Sequence, residues 1–202
     1  IAQDYFAKAV STLENYLEVK SDWMTFDPHP EYFSSQLARR PDMKLHPVYH
    51  HHAHAVSLLV ENRMDAPTLF AVFDGTGYGP DGMIWGGEFL LADRKSFTRL
   101  GRLGLFPLPG SEAAIREPLR ILSTILWLAD PNEFEERFRH LLEPDFNKAL
   151  LWIETFKKGI NSPLTSSAGR LFDAAAALAG FRRTTTFESQ ASMWFEGIAD
   201  PE

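Results

Sequence analysis

Apolar residues Phe6, Val10, Leu13 and Leu17 recur three or four positions apart, which predicts an amphipathic helix over residues 3–18. Trp23-Met24-Thr25-Phe26 reads as a short strand stopped by Asp27-Pro28-His29-Pro30, and Pro30 suits the first position of a helix through Tyr32 to Leu37. A strand over Lys44 to Tyr49 then feeds a histidine-rich helix that ends near Asn62. The clearest β region follows: Thr68–Phe73, a glycine-rich turn, Met83–Leu91 and Phe97–Leu103. These predict a three-stranded meander with a bulge at Gly86-Gly87. After Pro107-Leu108-Pro109-Gly110 the period changes. Residues 112–129, 133–142, 146–158, 166–179 and 187–198 read as helices, with Ser166 or Ser167 as a natural N-cap for the fourth. The order is mixed α/β over residues 1–110 and mainly helical over 111–202, so a mixed sheet carrying helices is expected.

Composition narrows the class. At 202 residues the chain can bury a sizeable core as one large domain or two small lobes. It has no cysteine, and so no disulfide framework, thiolate ligand or cysteine nucleophile of its own. A net charge of -7 argues against nucleic acid as a partner. No uncharged apolar stretch reaches the roughly 20 residues of a membrane span, and Ile1-Ala2-Gln3-Asp4-Tyr5 carries no signal-like pattern. The expectation is a soluble cytoplasmic protein with no membrane partner.

Four of the seven histidines fall in Tyr49-His50-His51-His52-Ala53-His54. On a helix, His50 and His54 are one turn apart and share a face, a spacing at which two imidazoles can converge on one transition metal; His52 points elsewhere. His51 and His52 are expected to be structural or to orient ligands or substrate. A plain solvent-exposed helix start is the competing reading. Two histidines leave a metal site incomplete, and Asp74, expected at a strand end facing a cleft, is the best placed carboxylate. The turn Gly75-Thr76-Gly77-Tyr78-Gly79-Pro80-Asp81-Gly82 matches G-x-G-x-x-G formally, but a strand follows it, not a helix, which argues against a Rossmann site. A phosphate loop lacks its lysine, and an EF-hand would need Glu where Trp85 stands. What remains is a hairpin whose glycines let backbone N–H groups approach phosphates or an acyl group, or one that is merely tight. In Ser166-Ser167-Ala168-Gly169-Arg170-Leu171-Phe172-Asp173, small residues at a helix start suit an anion, and Asp173 could accept from ribose hydroxyls; a closely packed alanine-rich helix with one exposed aspartate is the bland alternative. Arg116-Glu117-Pro118 is the weakest candidate, more often an exposed helix start than a site.

These segments, together with Ile84-Trp85-Gly86-Gly87-Glu88-Phe89, resemble the carboxy-terminal carbamoyltransferase domain of the HypF family of nickel–iron hydrogenase maturation factors. That domain is similar to TsaD-type tRNA-modification proteins and antibiotic O-carbamoyltransferases. The resemblance runs over essentially the whole chain. It implies an actin-like, sugar-kinase-like (ribonuclease-H-like) α/β fold, a partial TsaD-like domain truncated at one or both ends and expected to be inactive alone. It implies His50, His54 and Asp74 as ligands of zinc or iron, Asp74 to Gly77 as the substrate-contacting loop that includes Gly75 and Thr76, and Gly169 and Asp173 beside the nucleotide. At Phe187-Glu188-Ser189 the family usually has glycine third, so Ser189 is a departure.

The implied activity is transfer of a carbamoyl group from carbamoyl-adenylate, made from carbamoyl phosphate and ATP, to the C-terminal cysteine thiolate of a HypE-type acceptor. An O-carbamoyltransferase acting on a small-molecule hydroxyl and an inactive nucleotide-binding or scaffolding fragment are the other classes.

Overall fold

The computed structural model describes residues 2–33, 35 and 44–199. The amphipathic period at the start becomes α1 (Ala2–Leu17). Strand β1 (Trp23–Phe26) pairs in parallel with β2 (Lys44–Pro47) as a separate two-stranded sheet, and α2 (His50–Glu61) starts three residues beyond β2. Of the helix expected from Pro30 to Leu37, residues 30–32 are not helical and Phe33 and Ser35 are, while residues 34, 36 and 37 lie outside the described residues.

The main sheet is mixed. Antiparallel β3 (Thr68–Tyr78), β4 (Ile84–Ala92) and β5 (Phe97–Arg102) form the expected meander. Two short strands that sequence reading missed complete it: β6 (Phe106–Pro107) and β7 (Leu164–Thr165), with β7 parallel to β4 through Ile84 and Thr165. Two residues are too few for a periodicity signal. The remaining helices are α3 (Glu112–Arg116), α4 (Pro118–Ala129), α5 (Phe134–Leu142), α6 (Phe146–Lys157), α7 (Ala168–Leu178) and α8 (Gln190–Gly197). The single helix expected over 112–129 is two. Pro118 has no N–H and disfavours helical geometry in the residue before it, and Glu117 sits at φ −119°, ψ 81°.

Two cores hold this arrangement. One packs Ala55 and Leu59 of α2 against Phe70 and Val72 of β3 and Trp85, Leu90 and Ala92 of β4. Full burial of a side chain such as Leu59 stabilises by roughly 2 kcal/mol, enough to fix which face of α2 meets the sheet. The opposite flank of that helix carries His50 and His54 outward. The larger core joins α4, α5, α6 and α7 around Ile121, Leu142, Phe146 and Ala177. In α7 the run of alanines permits close packing on α4.

The glycine position noted in the family motif has a structural counterpart. Ser189, the residue before α8, is held at φ +61°, in the left-handed region, and its side chain makes no capping bond. Cβ crowding there costs a non-glycine residue on the order of 1 kcal/mol. Ser189→Gly is expected to raise the unfolding free energy by about 0.5–1 kcal/mol in urea titration, whereas a loss of stability would show that Ser189 is not strained.

Candidate metal centre

Asp74 does not sit at a strand end. It lies inside β3, where the pairing with β4 slips: Phe73 faces Gly87, but the next paired residue, Gly77, faces Trp85. Three residues, Asp74 to Thr76, therefore oppose Gly86 alone, and the irregularity re-aims the Asp74 side chain towards α2. The expected disruption at Gly86-Gly87 is thus carried by the facing strand. A second register shift falls at Phe89/Leu90, on the β5 side.

The first turn of α2 meets that bulge. His50 Nε2 lies 2.7 Å from Asp74 Oδ2 and 3.1 Å from His54 Nε2, and His54 Nε2 lies 3.8 Å from the same oxygen. Among the described residues these three are the cluster able to hold a metal ion. Ligands at about 2.0–2.1 Å around a tetrahedral ion are about 3.3 Å apart, the middle of the observed range. Asp74 Oδ2 is shielded from solvent and no N–H is aligned on it, so its short approach to His50 is close contact without a formed hydrogen bond. Two imidazole nitrogens and a carboxylate oxygen converge here, and the residues present fit a divalent cation. His54 is half exposed, which leaves one side of the cluster open.

The surrounding shell contains a residue that sequence reading passed over. Asp27, just after β1, places Oδ2 3.6 Å from His50 Nδ1 and so faces the ring nitrogen turned away from the cluster. A carboxylate behind a ligating imidazole fixes its tautomer and orientation. The signal was present in Asp27-Pro28-His29-Pro30 but reads as a strand stop. Burial, then the charges of Asp27 and Asp74, raise the Tyr32 phenol above its usual range.

His51 points inward. It is 1% exposed, neither ring nitrogen has a hydrogen-bond partner, and burial pushes its pKa down to about 4. A Cβ on Gly77 would collide with its ring, so the glycine makes room for it. His52 contacts the Asp93 carbonyl at 2.8 Å, a structural role. The unfolded chain binds a proton at His51 near pH 6.5 that the folded chain refuses until about pH 4. Its contribution to stability is therefore full above pH 6.5 and is lost as pH falls through that window, by roughly 3 kcal/mol. An NMR titration of the metal-free chain is expected to show one imidazole protonating near pH 4 alongside this loss; an ordinary His51 titration near 6.5 would contradict it.

The nucleotide-side residues are placed differently from expectation. Ser167 caps α7, its Oγ accepting from Arg170 N at 3.0 Å. A Cβ on Gly169 would lie 2.8 Å from Gly75 Cα, so α7 begins in direct contact with the Asp74 loop. The Gly75 N–H donates to Asp74 Oδ1 at 2.6 Å and is not free for a substrate. Asp173, expected to accept from ribose hydroxyls, is 2% exposed, 3.0 Å from Arg170, and accepts from Ser192 Oγ at 3.3 Å; burial raises its carboxyl above the usual range. Arg170 in turn lines a cavity of about 300 Å³ with Arg116, Thr76, Thr185, Thr186, Phe187 and Glu188. Arg116, the weakest sequence candidate, therefore faces the same cavity as the loop. Among the described residues no helix is long and apolar enough to cross a membrane.

The family matches over both parts of the chain place this mixed-sheet fold among Kae1-like domains. Residues 2–61 match the HypF Kae1-like domain, and residues 70–202 match the family described as carbamoyltransferase, Kae1-like domain, second subdomain. The chain belongs to the HypF carbamoyltransferase family. It is 40% identical to carbamoyltransferase HypF2 of Cupriavidus necator over 96% of its own length and 24% of the relative's. It is 35% identical to carbamoyltransferase HypF of Rhizobium leguminosarum over 95% of its length and 25% of the relative's. The solved structure of full-length HypF in its phosphate- and nucleotide-bound form superposes with a TM-score of 0.86 at 33% identity, covering 98% of this chain and 26% of that one. HypF of T. kodakarensis gives 0.81 at 29%, covering 96% of this chain and 27% of that one. The chain thus spans about a quarter of the length of these four proteins.

Proposed function

We propose that this chain is the domain of a hydrogenase-maturation carbamoyltransferase that receives carbamoyl-adenylate and passes its carbamoyl group to the C-terminal cysteine thiolate of a HypE-type acceptor protein. The observation that carries the reading is the convergence of His50, His54 and Asp74, in a HypF-family chain, close to an arginine-bearing cavity. His50, His54 and Asp74 would hold zinc or iron, and the bound ion would supply a Lewis acid for the carbamoyl carbonyl.

The chain's own residues do the rest. Asp27 and the bulge hold the cluster's orientation. Arg116 and Arg170 offer positive charge to the adenylate phosphate, and the exposed ring of Phe187 offers a face for the base. Asp173 serves the nucleotide indirectly, by holding Arg170. In the transfer the acceptor sulfur bonds to the carbonyl carbon, the carbon–oxygen bond to phosphate breaks, and AMP leaves with that electron pair. The absence of cysteine fits a thiol that comes from the partner.

The test supplies carbamoyl-adenylate to the HypF polypeptide carrying this domain, with an acceptor protein bearing its terminal cysteine. Mass spectrometry is expected to find a carbamoyl adduct on that sulfur, and none on an acceptor whose cysteine is serine. Modification of a small-molecule hydroxyl instead would favour the O-carbamoyltransferase reading.

A further inference from the structure

Glu88 is an ionisable group buried to 0% exposure, and it touches none of the three clustered side chains. Its Oε1 accepts a short hydrogen bond from Ser166 Oγ and lies 3.4 Å from the N–H groups of Gly86 and Gly87. Its Oε2 lies 3.4 Å from Arg99, which is itself held by Asp81 at 2.7 Å and lies 4.3 Å over the Trp85 ring. Burying a carboxylate is costly and persists only where partners compensate, so this one is anchored on the β5 side by Arg99 and on the α7 side by Ser166.

Ser166 leads directly to the bulge. The next residue, Ser167, donates its hydroxyl to the Asp74 and Gly75 carbonyls at 3.0 and 2.8 Å. The Ser166 N–H donates to Ile84 O at 3.2 Å, which ties the same dipeptide to β4. Gly86 closes the junction: a Cβ there would stand 2.6 Å from Asp74 O and 2.8 Å from Ser167 Cα. A pair of serines is thus gripped by Glu88 at one end and grips the Asp74–Gly75 backbone at the other. An apolar residue at position 88 could fill the space but could not fix the Ser166 hydroxyl.

We propose that Glu88 is a positioning residue for the metal centre: through Ser166 and Ser167 it sets the Asp74–Gly75 backbone and so the aim of the Asp74 carboxylate. The consequence for a metal rests on the reading of His50, His54 and Asp74 as its ligands; the consequence for the backbone does not. The same link joins the start of α7, which carries the arginine-lined cavity, to the cluster.

The test titrates cobalt(II) into the 202-residue chain and follows its visible absorption, alongside backbone hydrogen exchange. Ser166→Ala and Glu88→Ala are each expected to weaken cobalt binding about tenfold, the scale of a lost supporting contact behind a ligand. Both are expected to speed exchange at residues 74–77 while residues 118–157 keep their protection. Glu88→Gln, which keeps an acceptor facing Ser166, is expected to return cobalt affinity and exchange close to wild type. Should Glu88→Ala not fold, Ser166→Ala carries the comparison, since it removes only a hydroxyl. Unchanged cobalt affinity and unchanged exchange at 74–77 in Ser166→Ala would overturn the proposal. A wild-type chain that binds no cobalt would sink the metal reading instead, and the exchange data would then decide the Glu88 link by themselves.

Discussion

His54→Ala is expected to abolish carbamoyl transfer to the acceptor thiol, by more than about 100-fold, while leaving carbamoyl-adenylate formation intact. His54 Nε2 faces His50 Nε2 at 3.1 Å from a half-exposed position on α2. Replacing it removes one of three donors without opening the core, because Ala55 and Leu59 carry the packing of that helix. Under the proposed function, adenylate formation would consume carbamoyl phosphate and ATP at a site this cluster does not supply. ATP–pyrophosphate exchange in the same HypF polypeptide therefore serves as the control. Loss of both half-reactions in a folded variant would contradict the assignment of the cluster to the second one.

The second large effect is expected from a single methyl group. In Gly86→Ala the new Cβ would meet Asp74 O at 2.6 Å and Ser167 Cα at 2.8 Å, and both are backbone atoms that no rotamer change can move. Either β4 withdraws from the junction or the bulge shifts. Overpacking of this kind costs about 2–3 kcal/mol. Denaturant unfolding should show that loss together with weakened metal uptake. Gly104→Ala, where nothing lies within 4 Å of the added carbon, is the control and should stay within about 0.5 kcal/mol of wild type. If Gly86→Ala is equally mild, the junction is looser than the contacts imply.

Much of this was legible in the residues, and the reasons differ by element. The meander announced itself through the runs Thr68–Phe73, Met83–Leu91 and Phe97–Leu103 and the glycines between the first two, because strand alternation is a local signal. The i, i+4 spacing of His50 and His54 likewise fixes a shared helix face before any tertiary contact is known. Asp74 was singled out as a strand-end residue, yet it reaches the histidines because a three-residue bulge turns it, and register slips leave little trace in one strand's sequence. Asp27 arrives from a different segment, beyond β1 and ahead of β2, so its approach to His50 is a tertiary fact. The burial of Asp173 is of the same kind: a helix sequence does not say which face another helix will cover, and here α8 brings Ser192 onto it. The break at Pro118 was readable from the residue before a proline and was outweighed by the apolar run that spans it.

His50, His54 and Asp74 are proposed to hold together a divalent metal used in carbamoyl transfer. X-ray absorption at the zinc edge, on chain loaded with one equivalent of zinc, tests this most directly. Two imidazole ligands and light-atom donors at about 2.0–2.2 Å are expected, with one imidazole lost in His54→Ala. Zinc bound without imidazole scattering, or a His54→Ala spectrum identical to wild type, would contradict it.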